Sequence, residues 1–90
     1  MVTTDLIMKL NDASKYLNNN NKNIEANELD DLSKHLKDAN ISKADLEEIK
    51  KNIVNRCDIR WLGEIYIKEM ATMYKWWNFL GEMKILAEKL

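Results

Sequence analysis

In this 90-residue chain the aromatic rings and the cations beside them are the residues whose types and spacing offer chemistry, and that chemistry is binding. Tyr16 stands beside Lys15 where a helical pattern ends, and a ring next to a cation is what a nucleobase and its phosphate need. The same ring would also suit the rim of an apolar core. Trp61, Trp76 and Trp77 lie in an aromatic C-terminal third, with Arg60 next to the first of them.

Catalytic constellations do not emerge. His35, the only histidine, has Asp31 and Asp38 within one helical turn, a set that could orient an imidazole or hold a metal weakly. A catalytic metal site takes more strong ligands than that, and a surface cluster of charges is the plainer reading. Cys57 has no second histidine to pair with and occupies an apolar position, which suits a packed thiol better than a nucleophile. Glu47, Glu48, Glu64 and Glu69 interleave with lysines as exposed helix faces do. Gly63 and Gly81 are isolated, so no phosphate-cradling loop is present. The chain is therefore expected to be no enzyme, with no catalytic residue, cofactor or metal.

Composition narrows the partners. A formal charge of -1, with both signs interspersed, lacks the basic excess that duplex DNA or RNA demands. Residues 1–10 show no basic segment followed by an apolar core, and no stretch of about 20 uncharged apolar residues occurs, so a cytoplasmic protein with no membrane partner is expected. A lone cysteine fits a reducing compartment. Residues 1–90 are read as a single domain. A domain of this size buries only about 60% of its unfolded surface, and without a disulfide or metal, oligomerisation is the remaining source of stability.

The elements that must position these residues are helical. Leu6, Ile7, Leu10, Ala13 and Leu17 predict a first helix over Asp5–Leu17, after Thr3 and Thr4 as capping candidates. The asparagines at 18–21 and 23 then predict a flexible loop. Leu29, Leu32, Leu36 and Ala39 mark a second helix ending near Asn40, with Lys34 and Lys37 on its polar faces. Ser42 followed by Asp45, with Ile41 and Leu46 as a hydrophobic staple, starts a third helix at Lys43. Its stripe is Leu46, Ile49, Ile53 and Cys57.

From there to Leu90 the pattern stays helical, but one unbroken helix would reach on the order of 70 Å, so a joint is expected between Asn55 and Asp58. Asp58 then caps a last helix running to Leu90. Its apolar residues, from Ile59 and Trp61 through Ile65, Tyr66, Met70, Trp76 and Trp77 to Met83, cover most of the circumference, with Tyr74 and Phe79 among them. Three short helices cannot easily cover such a surface. The expected fold is all-α: a small bundle of three to four helices with a long, apolar C-terminal helix used for oligomerisation. A membrane-surface helix and a groove for a partner protein are the other readings of that aromatic density.

Asp58, Arg60, Trp61 and Leu62 resemble the motif that opens the last helix in the phage anti-CBASS cyclic-oligonucleotide sponges. Ile24, Glu28, Leu29 and Leu32 are similar to that family's upstream segment, Lys34 or Lys37 falls near its lysine, and Lys15 with Tyr16 stands where the family has a glycine-tyrosine-arginine run. The likeness covers about half the chain. It implies non-catalytic capture of a cyclic oligonucleotide, a dinucleotide or also a trinucleotide, between protomers of a homo-oligomer, commonly a hexamer. It further implies that Tyr16 stacks on a base, that Lys34 or Lys37 meets the phosphates, and that Arg60 and Trp61 hold helices and interfaces in place. Trp76 and Trp77 join them as expected structural or interface residues. The alternative is a small helical inhibitor or adaptor that binds another protein through the aromatic C-terminal helix, and its mark would be exposed apolar surface on a monomer.

Overall fold

The computed structural model describes residues 2–58 and 60–90. Ile59, which the sequence assigns to the last helix, and Met1 lie outside the described residues. Among the described residues four α-helices run in the order α1 (Val2–Asn19), α2 (Asn23–Leu36), α3 (Lys43–Arg56) and α4 (Met73–Glu88), with a short 3-10 turn at Leu62–Glu64 between the last two. No strand occurs among the described residues.

The α1–α2 hairpin is closed by chemistry that the asparagine run supplies. Asn21 adopts φ 62°, a left-handed conformation that asparagine tolerates better than most residues. Lys22 N–H then donates to the Leu17 carbonyl at 2.8 Å and Asn21 N–H to Asn18 at 3.2 Å, a Schellman closure of α1. The run is therefore not a loose loop: Asn18 and Asn19 belong to α1. Ser14, buried between the two helices, donates to the Ala26 carbonyl at 3.3 Å and fixes an antiparallel register.

Capping sets the start of α3. Ser42 accepts the Asp45 N–H at 3.0 Å, with Ile41 and Leu46 half-buried against the core, and α3 begins at Lys43 as its sequence signals require. α2 stops at Leu36, earlier than the leucine spacing suggests, and leaves Ala39 exposed in the connection. The stop after Arg56 falls where the joint is expected.

Beyond that joint the expectation fails. Asp58 does not open a long helix, and residues 60–72 form turns, the 3-10 segment and irregular chain before helix resumes at Met73. In a continuous helix the Leu62 and Gly63 carbonyls would accept N–H groups four residues on. Here they accept the indole N–H groups of Trp76 at 2.7 Å and Trp77 at 2.9 Å. Gly63 and the run Ile65, Tyr66, Ile67 also favour helix only weakly. Thr72 restarts the helix as N-cap, its hydroxyl accepting the Lys75 N–H at a long 3.4 Å.

The break folds the aromatic segment back onto the bundle. Leu62, Ile67, Trp76, Leu80, Met83 and Ala87 are all buried, together with Leu6, Leu10 and Leu17 of α1, Leu29 of α2 and Ile53 of α3. Much of the apolar surplus that suggested burial against other copies is thus covered within one chain. No described helix is long and apolar enough to cross a membrane.

Candidate functional site

The turn after α3 is built around Asp58. Its carboxylate accepts the Arg60 N–H at 2.8 Å, and its carbonyl accepts Trp61 N–H at 3.0 Å and Gly63 N–H at 3.2 Å. The Arg60 N–H bond, chiefly, holds the Asp58 pKa below the usual carboxylate range. Gly63 leaves little room for a side chain: a Cβ there would lie 3.2 Å from Trp77 Nε1 and 3.3 Å from the Asp58 carbonyl, closer than either neighbour accepts without moving. Close approach, not an unusual φ, is what the glycine provides.

Three aromatic side chains stand out around this turn. Trp61 and Tyr66 flank the 3-10 segment and are 49% and 68% exposed; Tyr74, at the start of α4, is 71% exposed. Tyr74 packs edge-to-face on Trp77 at 5.4 Å, and Trp77 is bonded to Gly63, so Tyr74 rests on a ring that is itself tied to the turn. The Arg56 guanidinium lies 5.1 Å from the Trp61 ring centroid while pairing with Glu28 of α2. Arg60 is almost wholly exposed and faces Asp58 at 3.6 Å.

The second tie on this region comes from α1. Asn20 donates from Nδ2 to Glu69 Oε1 at 2.9 Å and accepts the Lys68 N–H at 3.1 Å, while Asn19 donates to Glu69 Oε2 at 3.1 Å. These bonds, Asn20 first, hold the Glu69 carboxyl below its ordinary pKa. The asparagine run thus anchors the chain that follows Tyr66.

The sequence-predicted site residues fall in three places. Tyr16 is half-buried, its ring edge-to-face with Trp76 at 6.3 Å and Phe79 at 5.8 Å, so within one chain those rings already engage it. Lys34 and Lys37 are exposed at the far end of the hairpin, and neither joins an ion pair among the described residues. With Ser14 opposite Ala26, Lys34 lies on the order of 15 Å from Tyr16 along the hairpin axis, at 1.5 Å per residue, and Lys37 lies farther still. A single chain does not bring the stacking ring and the phosphate lysines together. Trp61, expected inside a core or interface, is half-exposed, and Arg60 is a surface residue; Trp76 is fully buried and Trp77 half-buried.

Sequence reasoning missed Gly63 and the Asn20–Glu69 tie. A signal for the first was present: two adjacent tryptophans on one helix point about 100° apart and each needs a partner for its N–H. Among the described residues no group of three or more His, Cys, Asp or Glu side chains is placed to hold a metal. Comparison with protein-family models, with curated proteins and with solved structures gave no match.

Proposed function

We propose that this chain is a non-catalytic binding protein that docks on another protein through Trp61, Tyr66 and Tyr74. The observation that carries this reading is the exposure of three large rings around one turn that is itself fixed by two indole hydrogen bonds. Trp, Tyr and Arg dominate the energetics of protein interfaces, and a surface rigid before binding loses little entropy on association. Both arginines at its edge already face a carboxylate, Arg56 with Glu28 and Arg60 with Asp58, which favours a protein surface over a polyphosphate here. A photo-crosslinking residue at position 66, in the cells that express the protein, should give one discrete adduct that disappears when Trp61 and Tyr74 are both alanine. A spread of weak adducts, unchanged in that variant, would contradict the proposal.

The cyclic-oligonucleotide sponge is the second reading, favoured by the Asp58-to-Leu62 motif and by the exposed lysines Lys34 and Lys37, which join no ion pair among the described residues. It needs a homo-oligomer, because Tyr16 of one protomer would have to meet the lysines of another. Calorimetry with cyclic di- and trinucleotides, beside light scattering, separates the two readings. Heat, an oligomeric mass and nucleotide recovered intact would favour the sponge; a monomer without heat would leave the protein-docking reading alone.

A further inference from the structure

A cleft of about 320 Å³ lies between α2 and the first half of α3, at the other end of α3 from Trp61. Leu32, Ile41 and Ile49 give it apolar walls, while Asp38, Asp45 and Glu48 stand at its edges, and no lysine or arginine lines it. His35 completes one side. Its Nδ1 is 2.8 Å from the Asp31 carbonyl, which can only accept, so Nδ1 donates there and the ring is held against α2. Asp38 spends one carboxylate oxygen on the Asn40 N–H, whereas the Glu48 carboxylate has no hydrogen-bond or ion-pair partner among the described residues.

We infer that this cleft is a second docking surface and that its occupant is an arginine- or lysine-bearing segment of a partner protein. The argument is complementarity. A long cationic side chain lays an aliphatic stem on apolar walls and keeps its charged head at a polar rim, which here carries acidic and acceptor groups of one kind. Arginine fits best, since its fork can pair with Glu48 and still donate to a neighbouring acceptor. A free anion or a neutral lipid would gain nothing from such a rim.

The test uses acetyl-Arg-Leu-Arg-amide as the probe and the full chain labelled with ¹⁵N, with acetyl-Gln-Leu-Gln-amide as the uncharged control. The charged peptide should shift amides between residues 32 and 52 at millimolar concentration, and the control should not. Glu48→Gln should weaken binding by about fivefold, the scale of one exposed charge contact, and Glu48→Lys should abolish it with the melting curve unchanged. Absence of shifts, equal shifts with the control, or binding indifferent to Glu48→Lys would overturn the inference. So would shifts confined to Trp61, Tyr66 and Tyr74, which would place the charged peptide on the aromatic surface instead.

Discussion

The Trp76 indole meets the Leu62 carbonyl at 2.7 Å from fourteen residues downstream, and it lies fully buried where it does so. That carbonyl also accepts the Ile65 N–H at 3.1 Å, so removing the indole takes one of its two donors and empties a filled site. Trp76→Ala should therefore cost about 3–5 kcal/mol, the scale of emptying a fully buried tryptophan site. Trp61→Ala should cost less, about 1–2 kcal/mol, since that ring is half-exposed although the Arg56 guanidinium beside it is largely buried. Thermal melts of the two variants check the order, and an equal or larger loss for Trp61→Ala would place that ring inside the fold.

The two glycines should respond with opposite signs. At Gly63 a methyl group would press on Trp77 Nε1 and the Asp58 backbone, so Gly63→Ala should destabilise by about 1–3 kcal/mol. Gly81 sits inside α4 with nothing within 4 Å of a Cβ, so Gly81→Ala should stabilise by about 0.5–1 kcal/mol. Denaturant unfolding of both variants measures this directly. A stabilising Gly63→Ala would mean that the turn is looser than described.

These pairs mark where the sequence was legible and where it was not. Ser42 and Asp45 lie three residues apart, and their bond is local, so the start of α3 could be read from the chain. The stripe of α1 was equally visible, because Leu6, Leu10, Ala13 and Leu17 share one face at helical spacing. The break at Leu62 was hidden, because the groups that compete for its carbonyl and that of Gly63 come from α4. The asparagines were read as flexible from composition, whereas the Glu69 carboxylate that ties down Asn19 and Asn20 is 49 residues away from Asn20. For the site, the aromatic richness of the last third was plain, but which rings face solvent depends on that same break.

Acid should loosen the tie between α1 and the segment after Tyr66. The folded pKa of Glu69 is lowered, so the tie is fully present above the ordinary glutamate range and is lost as pH falls through the folded value. In Asn20→Ala the Glu69 pKa should move back up, because the first cause of its depression is gone. Carboxyl NMR titration reports both. An unchanged Glu69 pKa in the variant would show that the Asn20 bond is not formed in solution.

Cys57 should be inert in the folded protein. Burial, the larger effect, pushes its thiol up to about 12 against a smaller opposing effect of Lys84, so almost no thiolate exists near neutrality. Iodoacetamide at neutral pH should label it slowly under native conditions and fully in denaturant. Rapid native labelling, followed by mass spectrometry, would show that the C-terminal end of α3 opens.

The aromatic surface around the Leu62–Glu64 turn is tested most directly by calorimetric titration of the purified partner that crosslinks at position 66. Wild type should bind it as a monomer, and Tyr66→Ala should weaken binding by about tenfold or more, as loss of an interface ring of 1–2 kcal/mol or above requires. Its melting curve should be unchanged, because Tyr66 is exposed. Undiminished affinity in Tyr66→Ala and in the Trp61→Ala, Tyr74→Ala double variant would contradict the account.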